Sequence, residues 1–279
     1  MSDTTTSEAP SLAEEANEIA HVVGVMSGKG GVGKSLVTGL LAVALRKRGF
    51  SVGILDADIT GPSIPKMFGV NTRPEVCELG VLPPETATGI KLMSMNLLLE
   101  NQGDAVIWRG PLLSNTVKQF WQEVFWGMLD YLVVDLPPGT ADIPLTVMQS
   151  LPLECAILVT SPQDLAAFVV RKAVDMCGRL NVPILGLVQN IAHLKCPECG
   201  KTLYPFGRAD GERLAHEMGV SHILDLPIDP EISERSDAGT IEGYEANPFI
   251  GKIDAITNAI EALSFARKAQ GCDAGDCAR

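Results

Sequence analysis

The chain has 279 residues, of which 46% are hydrophobic and 20% charged, and its formal net charge is −12. This composition is typical of a soluble globular protein with one large α/β domain or two small ones. The negative charge argues against nucleic-acid and anionic-membrane partners, and no apolar run approaches the roughly 20 residues that span a bilayer.

Both ends of the chain differ in composition from its middle. Residues 1–19 are rich in Ser, Thr and Glu and predict a disordered acidic tail without a secretory signal, with a helical segment from Ser11 onward. Residues 20–268 show no repeat or linker and predict a single domain, and residues 269–279 form a second, cysteine-containing tail. Seven irregularly spaced cysteines favour reduced thiols, so we expect a cytoplasmic protein.

The first motif in chain order is a glycine-rich loop between an apolar run at 21–26 and a helical pattern that starts near residue 36. The motif consists of Gly28, Lys29, Gly30, Gly31, Val32, Gly33, Lys34 and Ser35. It matches the P-loop, in which backbone N–H groups and a helix N-terminus face phosphate oxygens. Lys34 would contact the β- and γ-phosphates, and Ser35 would bind a Mg²⁺ ion. The alternative is a glycine-rich turn that only connects the strand to the helix, but such a turn would not require all eight residues of the motif.

Lys29 is an additional lysine directly after the first glycine of the loop. Lys34 already serves the phosphates of its own subunit, so a single P-loop does not require a second cation. Lys29 is therefore either a solvated surface charge or a cation that reaches the triphosphate of a partner subunit, as an arginine finger does.

Carboxylates follow two further predicted strands. The strand at 51–56 ends in Asp56, with Asp58 two residues later, and the strand at 131–135 ends in Asp135. Open α/β sheets bind ligands at the carboxyl ends of their strands, although helix capping would also explain Asp56 and Asp58. Asp135 suits a Mg²⁺ ion, and Gly139 suits a mobile segment that contacts a γ-phosphate.

Further strands are predicted at 155–160, 183–190 and 222–227, with helices between them. This alternation predicts an α/β fold, a doubly wound, mostly parallel sheet with flanking helices. Cys155 and Cys177 lie within apolar patterns and are predicted to be core residues.

A second functional site, formed by thiol groups, is predicted at Cys196 and Cys199, which lie in the sequence CPECG between two lysines. The proline and glycine shape a turn that points both thiols at one place, but two thiolates supply only half of a four-ligand Zn or Fe–S site. The other half could come from the same loop of a second subunit, or from Cys272 and Cys277 in the tail. A redox dithiol fits less well because no helix follows, and an unliganded surface pair is the remaining alternative.

Several motifs in this order carry a family resemblance: GKGGVGKS, DADITGPS, WRGP, DYLVVDLPPGTAD and CPECG. Together they resemble the Mrp/ApbC-type iron–sulfur cluster carriers, deviant-Walker P-loop NTPases related to MinD, ParA and the nitrogenase iron protein. The resemblance covers residues 20 to about 265. Ala141 stands where the family usually has glycine, and the segment after Asn190 also departs from the usual pattern.

The resemblance implies roles for individual residues. It implies that Lys29 acts across a homodimer, that Asp58 positions water, that Asp56 lies near Mg²⁺, and that Asn190 contacts the adenine edge. It also implies that Cys196 and Cys199 of two subunits hold a [4Fe–4S] cluster that passes to apo iron–sulfur proteins.

The sequence thus predicts a homodimeric ATPase that binds ATP and Mg²⁺ and delivers a [4Fe–4S] cluster, with Zn²⁺ as the other candidate metal at these cysteines. The rival prediction is a MinD/ParA-like switch for partner positioning, with a structural Zn knuckle. Two alternatives remain for Cys272 and Cys277 in the tail. They form an auxiliary metal or redox pair, or the tail has no function of its own.

Overall fold

The structure is a computed structural model that describes residues 11–58, 63–99, 110–162, 165–208 and 210–273. Its strands are β1 Glu18–Ser27, β2 Val52–Asp56, β3 Glu75–Cys77, β4 Gly80–Leu82, β5 Lys91–Ser94, β6 Met128–Asp135, β7 Cys155–Thr160, β8 Ile184–Lys195, β9 Thr202–Leu203 and β10 His222–Pro227. Its α-helices are α1 Leu12–Ala16, α2 Lys34–Lys47, α3 Ile64–Met67, α4 Gly110–Glu123, α5 Asp142–Ser150, α6 Leu165–Arg179, α7 Gly211–Glu217, α8 Pro230–Ala238 and α9 Ile253–Asp273.

A parallel sheet in the order β10-β8-β7-β1-β6-β2-β5 forms the centre of the molecule. Strands β2 and β5 lie on one side of β1 and β7, β8 and β10 on the other, with β6 inserted between β1 and β2, so the sheet is doubly wound. The strand register places Asp56 opposite both Asp135 of β6 and Ser94 of β5. Three polar side chains therefore meet at one carboxyl edge, and the predicted fold class is confirmed.

The sheet is buried on both faces, which explains why its strands are continuous apolar runs. One face packs against α2 and α9 through residues such as Leu40 and Ile256, which belong to one cluster of buried side chains. The other face packs against α4 and α6 through residues such as Phe120 and Val170, which belong to a second cluster. Each such side chain contributes about 1.5–3 kcal/mol through burial, so the strand ends are held in fixed positions.

The prediction of a disordered tail is wrong for residues 11–19. Residues Leu12–Ala16 form helix α1, which begins at Ser11, whose side chain accepts a hydrogen bond from the Glu14 N–H at 3.1 Å. The Asn17 side chain then donates to the Val124 carbonyl and accepts from the Gly127 N–H, both at 2.9 Å. Side-chain hydrogen bonds to distant backbone, rather than a broad apolar face, order this segment.

Two other boundaries differ between the sequence-based prediction and the structure. Helix α9 continues to Asp273, so residues 269–273 belong to a helix rather than to a separate tail. Strand β8 does not end at Asn190 but continues to Lys195, with the following Ile191 in a left-handed backbone conformation at φ 52°. Within the residues that the structure describes, no helix is long and apolar enough to cross a membrane.

Candidate functional site

The glycine-rich loop connects β1 to α2, as predicted. Gly33 precedes the first turn of α2 with φ 85°, and Gly31 has φ 78°, so both lie in the left-handed region that favours glycine. A Cβ atom on Gly33 would lie 2.1 Å from Nδ2 of Asn190, and one on Gly28 would lie 2.1 Å from Cγ1 of Val169. The loop geometry therefore requires glycine at 28 and 33 for steric reasons.

Lys34 is the centre of a buried ionic cluster. Its Nζ atom lies 2.7 Å from Oδ1 of Asp135 and 3.4 Å from Oδ2 of Asp58. The Lys34 side chain is only 5% exposed, so little water screens these contacts. The structure thus brings three residues from separate sequence motifs within direct contact of one another.

Asp135 is surrounded by further donors from α2. It accepts a hydrogen bond from the Ser35 hydroxyl at 2.5 Å, and the Thr38 hydroxyl lies 2.9 Å from its Oδ1 atom. Burial raises the pKa of the Asp135 carboxyl, while the Lys34 ammonium and these donors act in the opposite direction. Thr38 was not predicted as a site residue, although its position four residues after Lys34 places both on the same helix face.

Asp56 is fully buried beside this cluster. Its Oδ2 atom accepts a hydrogen bond from the Ser94 hydroxyl at 3.0 Å, and its Oδ1 atom accepts one from the Asp58 N–H at 3.2 Å. Burial, together with the charge of Asp135, raises the pKa of Asp56 to about 8. Ser94 was also missed, although it ends a strand at the ligand-binding edge of the sheet.

The cluster fits a divalent cation. Asp56 and Asp135 are both fully buried, and the Lys34 ammonium lies 2.7 Å from Oδ1 of Asp135. Asp56, Asp58 and Asp135 thus lie around one ammonium in a low-dielectric site, where a raised pKa of Asp56 or a bound divalent cation offsets the excess of carboxylates. Asp135, Asp56 and the Ser35 hydroxyl would hold Mg²⁺ there, and such an ion neutralises phosphate charge.

Two more predicted residues reach the P-loop from other strands. Nδ2 of Asn190 donates to the Val32 carbonyl at 2.9 Å, and the Gly139 N–H donates to the Ser27 carbonyl at 2.9 Å. Gly139 has φ 96°, which again favours glycine. In this conformation the Asn190 side chain binds the loop itself, so its role toward an adenine stays a prediction, as does the action of Lys29 across a dimer.

The two thiols follow the carboxyl end of β8, the strand that carries Asn190, in a turn between β8 and β9. The turn is closed by hydrogen bonds from Cys196 N–H to the Lys201 carbonyl at 3.0 Å and from Gly200 N–H to the Cys196 carbonyl at 2.9 Å. Hydrogen bonds from the backbone of Cys199 and Glu198, and from the Cys199 side chain, lower the pKa of Cys196. A lowered pKa favours the thiolate, which is the form that binds metals.

Within the part of the chain that the structure describes, the thiol turn supplies two metal ligands. Among the described residues, no group of three or more His, Cys, Asp or Glu side chains is placed to hold a metal ion. The Cys272 side chain and Cys277 lie outside the described residues, so the tail pair stays a prediction. Cys155 and Cys177 are buried, which confirms them as core residues.

Comparison with known proteins shows the family to which the chain belongs. A family model described as a NUBPL iron-transfer P-loop NTPase matches residues 18–261. An iron–sulfur cluster carrier protein from Clostridium perfringens is 44% identical over 251 residues, covering 87% of this chain and 88% of the relative. The cytosolic Fe-S cluster assembly factor CFD1 from Kluyveromyces lactis is 42% identical over 231 residues, covering 80% and 82%.

Solved structures give the same result. A nucleotide-binding protein from Archaeoglobus fulgidus in complex with ADP shares 44% identity, with a TM-score of 0.74 over 81% of this chain and 89% of the other. The cell division ATPase MinD from Pyrococcus furiosus has a TM-score of 0.61 at 22% identity over 88% and 99% of the chains, a likeness of fold alone. The chain therefore belongs to the iron-transfer P-loop NTPase family, whose curated members include iron–sulfur cluster carrier proteins.

Proposed function

We propose that this protein is an ATPase that holds a [4Fe–4S] cluster between two copies of the chain and transfers it to apo iron–sulfur proteins. One observation carries the proposal. The same strand, β8, supplies Asn190 to the P-loop and leads directly into the turn that holds Cys196 and Cys199. A nucleotide site and a two-thiol half-site thus share one rigid element.

At the nucleotide site, Lys34 and the N–H groups of the loop bind the phosphates of ATP. Lys34 must then exchange part of its contact with Asp135 for a phosphate oxygen. Asp58, 3.4 Å from the same ammonium, orients the attacking water and accepts its proton. Bound Mg²⁺ supplies charge neutralisation, and Lys29 supplies a second cation to the partner's triphosphate.

At the thiol site, two subunits each supply Cys196 and Cys199. A twofold axis through the turn brings four thiolates together, which is the ligand number of a [4Fe–4S] cluster. The proposed coupling is that ATP draws the subunits together and so changes the geometry of the four thiolates. A cytoplasmic location fits the reduced thiols and the relative described as cytosolic.

The rival function is an ATP-gated positioning switch with a structural Zn ion, and it differs in whether the thiols release their metal. Zn held for structure alone would stay bound throughout the ATP cycle, whereas a carried cluster must leave. The relatives named as cluster carriers favour the carrier function for this chain.

Cluster transfer under anaerobic conditions tests the proposal. Reconstituted protein is mixed with an apo iron–sulfur enzyme, and the recovered enzyme activity is followed with and without Mg·ATP. We expect transfer from wild type, and an ATP effect that is lost in Lys34→Ala and weakened in Lys29→Ala. Retention of the metal by wild type in the presence of acceptor would contradict the carrier function, and unaltered ATP turnover in Lys29→Ala would remove the role of Lys29 across the dimer.

A further inference from the structure

Next to the thiol turn lies an exposed aromatic turn, which the proposed chemistry does not use. Tyr204 and Phe206 are 41% and 47% exposed, and the Gly207 N–H donates to the Tyr204 carbonyl at 3.1 Å to close the turn. Neither ring belongs to the two clusters of buried side chains that form the described core. Exposed aromatic residues of this kind are typical of interaction sites rather than of free surface.

The two turns form one structural unit, the hairpin 195–208. Strands β8 and β9 pair in antiparallel register, with Leu194 opposite Leu203 and Lys195 opposite Thr202. Only β9 and its immediate neighbours separate the thiols from the aromatic rings. A protein that docks on the rings is therefore brought within a few residues' length of the thiols.

The charge of the hairpin is opposite to that of the whole chain. It carries three cations, Lys195, Lys201 and Arg208, and one carboxylate, Glu198, while the chain as a whole has a net charge of −12. Arg208 lies over the Tyr204 ring, with its guanidinium carbon 4.9 Å from the ring centroid. The cation and the ring therefore form a combined surface, in which an aromatic face is held beside positive charge.

We propose that the hairpin 195–208 is the docking surface for the protein that receives the metal cargo, and that this recipient presents an acidic patch around an apolar contact. This inference rests on the proposed carrier function and adds the chemistry of the recipient. An acidic recipient is repelled by most of the carrier's surface, so attraction at the hairpin orients it toward the thiols. The aromatic rings then supply the short-range contact energy.

The test compares hairpin variants with matched variants elsewhere. Tyr204→Ser with Phe206→Ser removes the rings, and its control is Phe265→Ser, because Phe265 is 77% exposed on α9. Lys201→Glu reverses a hairpin charge, and its control is Lys252→Glu at an exposed position. The acceptors are the apo form of a small acidic ferredoxin and, separately, a small uncharged iron chelator.

We expect the aromatic double variant and Lys201→Glu to slow transfer to the ferredoxin at least ~10-fold, while both controls leave the rate unchanged. Raising the salt concentration is expected to slow wild-type transfer and to have a smaller effect on Lys201→Glu. Release to the chelator should be equal in all variants. Each rate is expressed per loaded cluster, and ferredoxin binding to cluster-free protein is measured in parallel, so that reduced loading does not obscure docking.

Three outcomes would overturn the inference. Equal transfer and binding rates in hairpin and control variants would exclude the hairpin as the docking surface. A hairpin variant that becomes monomeric in sedimentation would make this surface a contact between two copies of the chain. Wild-type transfer to the ferredoxin that does not slow as the salt concentration is raised would contradict the charge argument. Wild-type protein that holds no iron would instead contradict the proposed function itself.

Discussion

The ionic cluster at Lys34 depends on individual side chains that come from four different segments. Its carboxylates lie at the ends of β2 and β6, and its donors lie on α2 and at the end of β5. Each polar group in the cluster is the hydrogen-bond or ionic partner of another. Removal of one side chain therefore leaves a buried charge without its partner, which lowers the free energy of unfolding by about 3–5 kcal/mol. Residue-scale changes at this site are therefore expected to alter both stability and nucleotide binding.

Gly33 provides a test of the loop geometry. An alanine there would adopt φ 85° and place its Cβ 2.1 Å from the Asn190 side chain, so Gly33→Ala distorts the loop. We expect nucleotide affinity, measured by titration calorimetry, to fall at least ~10-fold. Gly49→Ala is the control, because Gly49 has φ 104° but no atom within 4 Å of the added Cβ. Unchanged affinity in Gly33→Ala would show that the loop does not depend on this close approach.

Asp56 makes the stability of the metal-free protein depend on pH. Its pKa is raised from 3.8 to about 8, so between these values the folded state keeps a proton that the unfolded state loses. The resulting stabilisation is complete below pH 3.8 and is lost as the pH rises through about 8. We expect the urea midpoint of EDTA-treated wild type to fall as the pH rises through this window.

The matched variants for this pH effect are Asp56→Asn and Asp254→Asn. Asparagine at 56 cannot titrate, so the slope of stability against pH should become flatter. Asp254 is 68% exposed and paired with Arg48 on the surface, so its replacement should leave the slope as in wild type. Parallel slopes for wild type and Asp56→Asn would contradict the assigned burial of this carboxyl.

At the scale of elements, the sequence predicted the central sheet because its strands are apolar on both faces. The P-loop was equally predictable, because its residues are contiguous and their backbone does the binding. Thr38 and Ser94 could not be assigned, since their roles arise only when α2 packs on β6 and when β5 pairs with β2. Such long-range pairings have no local signature in a single sequence.

A helix from Ser11 onward was predicted and is confirmed by α1, but the anchoring of this segment to the domain and the extension of β8 were not predicted, for a related reason. The segment 11–17 is polar, and its order comes from hydrogen bonds to residues more than 100 positions away. In β8, Ile191 has φ 52°, a conformation that a β-branched residue seldom adopts, so no pattern indicated that the strand continued. The left-handed residue Ile191 thus lies between Asn190, which contacts the P-loop, and the thiol turn.

Asn17 tests the corrected boundary of the domain. Its side chain makes two hydrogen bonds of 2.9 Å to backbone groups around Val124 and Gly127. Asn17→Ala leaves both groups without this partner, and we expect a loss of about 1–3 kcal/mol in the free energy of unfolding. Glu15→Ala, at an exposed position of α1, serves as the control in the same urea titrations. Equal stability of both variants would show that the Asn17 hydrogen bonds do not anchor residues 11–19 to the domain.

At the scale of the whole molecule, two sites with different chemistry are joined by one strand of a rigid sheet. The P-loop and its carboxylates lie at the carboxyl edge of the sheet, and β8 extends beyond that edge to the thiol turn. In the proposed function each chain supplies a P-loop with its carboxylates and the partner adds Lys29, whereas each thiol turn supplies two of the four cluster ligands. The two thiols of each turn are the structural basis for expecting the metal cargo to require a second copy of the chain.

The most direct test of the carrier function is anaerobic reconstitution with iron and sulfide, followed by metal analysis and absorption spectroscopy. Wild type should bind about four iron atoms and four sulfides per two chains, with the spectrum of a [4Fe–4S] cluster. The control Cys77→Ala should match wild type, because Cys77 lies in β3 outside the thiol turn. Cys196→Ala combined with Cys199→Ala should bind none, and iron at the wild-type level in that double variant would contradict the account.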